Sequence, residues 1–157
     1  MKIKKILIAV DDSKNSDHAA QYGFDMARIY HAQVGLVNIV EPIIAPSSGN
    51  DIVTGMPFEP NLTNDPEFIN IQKEASENII HRTIKSYAGD LQVSQFTNYG
   101  TTADGILDCS KAFEADLIVI GTHSRTGLDR LLMGNIAEHV VRHAEVPVLV
   151  VPFKEDS

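Results

Sequence analysis

The chain has 157 residues, 43% of them hydrophobic and 22% charged, the balance of a folded single domain with room for a sizeable core. Its formal net charge of −8 argues against a nucleic-acid or anionic-membrane surface as partner. Cys109 is the one cysteine, which excludes an internal disulfide and a thiolate metal cluster.

The first apolar run, Ile6 to Val10, stops at Asp11 and is too short for the core of a signal peptide, despite the lysines before it. No stretch approaches a membrane span, and the expected location is the cytoplasm. The first strand is predicted at about Lys5 to Val10. A helix then starts near Ser13, with small or apolar residues at Ala19, Tyr22/Gly23, Met26/Ala27 and Tyr30, the spacing of one helix face. The second strand is Val34 to Val40. Residues 41–64 carry Pro42, Pro46, Pro60, Gly49 and Gly55, and their length and composition predict a flexible loop.

Asp65 and Pro66 open the second helix as N-cap and first helical residue. Phe68, Ala75, Ile79, Ile80, Ile84 and Tyr87 mark its buried face, and Gly89 ends it. The third strand is Leu91 to Asn98. Thr101 or Thr102 caps a third helix that buries Ile106, Cys109 or Ser110, and Phe113. The fourth strand is Asp116 to Ile120, ending at Gly121. Asn135 starts the fourth helix, with Glu138 as capping-box partner. The fifth strand, Val148 to Val151, lies between Pro147 and Pro152. Alternating strands and helices of this kind predict an α/β fold, an open five-stranded parallel sheet with helices on both faces, Rossmann-like and undivided over residues 1–157.

The most informative stretch runs from Asp116 to Asn135. A buried strand ends at Gly121, a polar loop with Gly127 follows, and Gly134 leads into a helix. Small residues let backbone approach a ligand, and the free N–H groups of a first helical turn attract anions. A phosphate-bearing ligand is therefore expected. Ligands of such sheets sit beyond the carboxyl ends of the strands, where strand order reverses. If the first and fourth strands are neighbours there, Asp11 and the glycine loop share one crevice.

Four blocks resemble the universal stress protein family: Lys5 to Ser13, Asp116 to His123, Gly127 to Gly134, and His139 to Pro152. The resemblance covers nearly all of the chain except residues 41–64. It implies a sheet of order 3-2-1-4-5, a homodimer, and in some members ATP binding, with magnesium as a companion ion. Gly121 and Gly134 fall at the first and third glycines of the ATP-binding pattern. Ser124 stands at the second glycine and Asn135 at the final hydroxyl position. A Cβ at 124 costs roughly 1–2 kcal/mol if that position needs a left-handed backbone, yet a serine hydroxyl can donate to phosphate, and Asn135 retains an amide donor.

By the same resemblance, Ala9, Val10 and Asp11 border adenine and ribose, with Asp11 accepting from ribose hydroxyls or holding a metal-bound water. Ile39 lies along the adenine edge. Ile120, Gly121 and Thr122 meet the ribose and first phosphate. His123, Ser124 and Arg125 line the phosphates, and Asn135, Ile136 and Ala137 close the cradle.

Each of these residues has a plainer role to weigh. Gly121 and Gly134 fit simple turn geometry, Asn135 with Glu138 fits a helix cap, and Asp12 a solvated position. His123 without a neighbouring nucleophile is better suited to a phosphate hydrogen bond than to catalysis. His139 and His143 read as a polar helix face rather than a metal pair. No Walker lysine follows a glycine loop, so the expected activity is at most slow ATP hydrolysis, with no assigned catalytic residue. The leading expectation is a dimeric, ATP-binding stress-response switch or regulator, joined through residues 148–151 and acting on a protein partner. The alternative is a nucleotide-independent dimeric interaction module, which Ser124 and Asn135 favour.

Overall fold

In a computed structural model, residues 2–42, 65–123 and 134–154 are described. The order is β1 (Lys5–Ala9), α1 (Lys14–Tyr30), β2 (Gln33–Val40), α2 (Pro66–Tyr87), β3 (Val93–Tyr99), α3 (Thr102–Phe113), β4 (Leu117–His123), α4 (Asn135–His143) and β5 (Val148–Phe153). All five strands are parallel, in the order β3-β2-β1-β4-β5. The chain winds outward from β1 to β3, then α3 carries it back so that β4 pairs with β1, Ile6 opposite Leu117. Strand order therefore reverses between β1 and β4, the expected position for a ligand.

Alternating strand residues build two cores. Ile6, Ile8 and Val10 point to one face and meet Ala19, Phe24 and Ala27 of α1 and Ile80 of α2. Leu7 and Ala9 point to the other, against Ile106, Cys109 and Phe113 of α3 and Val140 of α4. Burial on both faces explains why these strands read as continuous apolar runs. Asp116 anchors the start of the sheet: its Oδ2 accepts from the Lys4 and Lys5 amides at 2.8 and 3.0 Å.

Several sequence expectations need correction. β4 does not break at Gly121 but runs on to His123, because Gly121, Thr122 and His123 pair in register with Val151, Pro152 and Phe153. β5 accordingly continues through Pro152, which an edge strand tolerates. Ala75, Tyr22 and Tyr30 are exposed; Ser76 and Thr83 on α2 and Phe24 on α1 take the buried positions. Gly89 does end α2 as expected: it follows the C-cap Ala88 with a φ of 56°. Both Cys109 and Ser110 are buried on α3. Residues 43–64 of the expected loop, with Ser124, Arg125 and Gly127, lie outside the described residues.

Candidate functional site

The turn from β1 into α1 is locked by side chains. Asp11 Oδ1 accepts from the Ser13 amide at 2.8 Å and from the Ser13 hydroxyl. Ser13 is the N-cap and accepts from the Ser16 amide at 3.2 Å, while Ser16 Oγ accepts from the Asp11 amide at 2.8 Å. These bonds occupy donors that the start of a helix otherwise leaves unpaired. Asp11 thus shares in capping α1 beside Ser13, and none of these bonds uses its Oδ2. Asp12 pairs at the surface with Arg82 of α2 at 2.7 Å.

Gly121 sits where α1 crosses the end of β4. A Cβ there would lie 2.5 Å from the Asn15 backbone oxygen and 3.2 Å from Ala19 Cβ. The glycine is thus required by the packing of α1 against the strand, whether or not a ligand also approaches it. At Gly134 the requirement is conformational: its φ of 75° is costly for residues with a side chain. This glycine is the N-cap of α4, in place of the expected Asn135 cap. Glu138 does not complete a capping box; it pairs with Arg142 at 2.7 Å. Because Gly134 offers no side chain, the first amides of α4 receive no bond from their N-cap residue.

The opposite wall comes from β2 and α3. Asn38 is buried in the middle of an apolar strand, where its Nδ2 donates to the Val10 carbonyl at 2.8 Å. Glu41 reaches from the end of β2 to the start of α3 and accepts from the Thr102 hydroxyl at 2.6 Å and the Thr102 amide at 3.1 Å. These two bonds, the hydroxyl first, hold the Glu41 carboxyl below its usual range. The carboxylate does the capping that Thr101 does not, since Thr101 donates its hydroxyl to Asp104 instead. Bonds from Thr101 and then His139 hold the Asp104 carboxyl below its usual range.

Between these walls lies a cavity of about 740 Å³ over the carboxyl ends of β1, β2 and β4. That is within the ~300–1,000 Å³ typical of small-molecule sites. It gathers eleven of the sequence-predicted residues: Ala9, Val10, Asp11, Ile39, Ile120, Gly121, Thr122, Gly134, Asn135, Ile136 and Ala137. His123 is the last residue of β4, in register with Phe153. Ser124 and Arg125 lie outside the described residues. Sequence reasoning missed Ser13, Asn15, Ser16, Val37, Asn38, Thr102 and Ile106 as lining residues. A polar Asn38 inside an apolar run was a readable signal; Thr102 and Ile106 reach the cavity only through the α3 crossover.

Chemically, the cavity joins an apolar part, Val37, Ile39, Ile106 and Ile120, to a polar part with Asp11, Ser13, Asn15, Ser16 and Thr122. Asp11 is the one ionisable side chain among the described lining residues. The described residues contain no cluster of three or more His, Cys, Asp or Glu suited to a metal ion. His139 and His143 stack at 4.2 Å on α4, and His139 contacts Asp104 at 3.1 Å. No helix among the described residues is long and apolar enough to cross a membrane.

Residues 2–152 match the universal stress protein family. A universal stress protein of Methanocaldococcus jannaschii is 33% identical over 156 residues, covering 97% of this chain and 85% of that protein. The solved universal stress protein UspA of Lactobacillus plantarum superposes with a TM-score of 0.73 at 21% identity, covering 96% of this chain and 99% of its own. A family protein of Arabidopsis thaliana, solved with AMP bound, gives 0.66 at 18% identity over 98% of this chain and 94% of its own. Further similar structures, with TM-scores of 0.59 and 0.62, are complexes with dAMP (from Archaeoglobus fulgidus) and with cAMP.

Proposed function

The chain belongs to the universal stress protein family, and on that footing we propose that it binds an adenine nucleotide in the cavity over β1 and β4. The observation that carries this reading is the opening of α4 beside an apolar slot. Asn135, Ile136 and Ala137 occupy the first turn of α4, whose amides lack intrahelical acceptors, and all three line the cavity. Such a turn attracts phosphate through its N–H groups and the helix dipole. Val37, Ile39 and Ile106 offer an apolar bed for the flat base, and Asp11 Oδ2 an acceptor for sugar hydroxyls or for water on a magnesium ion. Related proteins crystallised with AMP, dAMP and cAMP support the adenine preference.

ATP is the preferred form in this reading, since successive phosphates use more of the available donors. The chain then works as a nucleotide-dependent switch in a stress response, with hydrolysis slow or absent. Mass spectrometry of small molecules released from the denatured protein, after loading with ATP and desalting, tests this. Adenine nucleotide near one per chain is expected; its absence after loading at millimolar concentration contradicts the reading. That result would favour the nucleotide-independent interaction module, to which the asparagine at position 135 lends support.

The same reading makes the protein a homodimer through β5. This strand lies at the sheet edge, with Val148, Leu149 and Val150 only half-buried. An apolar edge with unpaired backbone groups invites a second strand, and a two-fold axis closes the pairing at two copies. Light scattering at tens of micromolar is expected to give twice the chain mass; a monomer contradicts it.

A further inference from the structure

We propose that Asn15 is a specificity-determining residue of this cavity: its side-chain oxygen accepts a hydrogen bond from a sugar hydroxyl, so that ribonucleotides are held more tightly than their deoxy counterparts. This deepens the nucleotide-binding reading above and rests on it. Asn15 lies in the first turn of α1, is 8% exposed, and lines the cavity. Its Oδ1 is enclosed and has no hydrogen-bond partner among the described residues. Buried amide oxygens are almost always paired, and an unpaired one costs free energy until a donor reaches it. The bare protein therefore carries a cost that a suitable ligand removes.

The chemistry of that ligand group follows from the surroundings. The Asn15 backbone carbonyl packs where Gly121 has no side chain, which puts this turn under the end of β4. Asp11, from the preceding turn, lines the same cavity with a carboxylate. An amide oxygen and a carboxylate both accept hydrogen bonds. They repel phosphate oxygens and match groups that donate, which on a nucleotide means the sugar hydroxyls or the base amine. The base amine is the poorer match, since the apolar bed of Val37, Ile39 and Ile106 belongs to β2 and α3, not to the first turn of α1. The terminal torsion of asparagine is broad, so the amide can turn its oxygen toward an arriving hydroxyl.

Equilibrium dialysis of ATP, 2′-deoxy-ATP and 3′-deoxy-ATP against the wild type and Asn15→Ala tests the assignment. The wild type is expected to bind ATP about fivefold to tenfold more tightly than at least one deoxy form, the worth of one hydrogen bond. Asn15→Ala is expected to lose that margin by weakening ATP alone, with the melting temperature of the free protein unchanged or raised. Equal wild-type affinity for all three nucleotides overturns the proposal without any variant. A loss in Asn15→Ala that is equal for all three also overturns it, by assigning Asn15 to packing. If the wild type binds none of them, the nucleotide reading itself falls, a result visible before the variant is made.

Discussion

Gly121→Ala isolates the contact on which the cavity floor depends. The added Cβ would stand 2.5 Å from the Asn15 carbonyl oxygen and 2.9 Å from its carbon, both backbone atoms, so no side-chain rotation relieves the clash. Ordinary contact begins at 3.4 Å, and the first turn of α1 must therefore retreat by most of an ångström. Overpacking of this kind costs about 1–3 kcal/mol. Loss of glycine's freedom in the unfolded chain returns about 0.4–1 kcal/mol, leaving a net destabilisation of about 0–2.6 kcal/mol, centred on about 1.3 kcal/mol. For a chain of this size the central value lowers the melting temperature by roughly 3–5 °C. Urea denaturation followed by circular dichroism should show a lower midpoint with an unchanged slope. Nucleotide affinity should fall as well, because Asn15, Ser16 and Gly121 share the cavity wall. An unchanged or raised midpoint refutes the close-approach argument for this glycine.

Asp11→Ala should weaken nucleotide binding and also cost about 1 kcal/mol of stability, since Oδ1 serves the α1 turn; unchanged affinity in a folded variant removes Asp11 from the site. The Tyr87 hydroxyl donates to Asp17 at 2.6 Å, and that bond, then burial, then the Asp17 charge raise its pKa to about 12. Its folded value lies above the unfolded one, so this stabilisation is complete below about pH 10 and lost as pH rises toward 12. Ultraviolet titration showing no tyrosine ionising late contradicts that assignment. Burial pushes the Cys109 thiol up to about 11, so alkylation at pH 8 should be slow in the native protein and fast in urea. Leu149→Lys places a charge on the β5 edge and should yield a monomer by light scattering; a dimer of wild-type affinity moves the interface elsewhere.

The sheet was legible because its strands are buried on both faces, so Ile6 to Val10 appears as an unbroken apolar run and Val34 to Val40 as one interrupted only by Gly35 and Asn38. The Asp65 cap and Pro66 fixed the start of α2 for a local reason: its side chain accepts from the Glu67 amide at 3.0 Å. Misreadings arose where tertiary contact overrides local pattern. Gly121 looked like a strand end, yet it is an interior strand residue made small by α1. Asn135 looked like a cap, but Gly134, with its positive φ, holds that place. Of the cavity, residues on strand ends and the α4 turn were found because motif and strand boundary coincide there. Asn15 and Thr102 were missed because their part depends on which helix the crossover sets against which strand, whereas Asn38 was readable as a polar residue inside an apolar strand.

Isothermal titration of the wild-type protein with ATP, with and without magnesium, bears most directly on the central claim. Saturable heat is expected, displaced by AMP and reduced by Asp11→Ala and by Gly121→Ala. Absence of heat at millimolar ATP under both conditions contradicts nucleotide binding by this cavity.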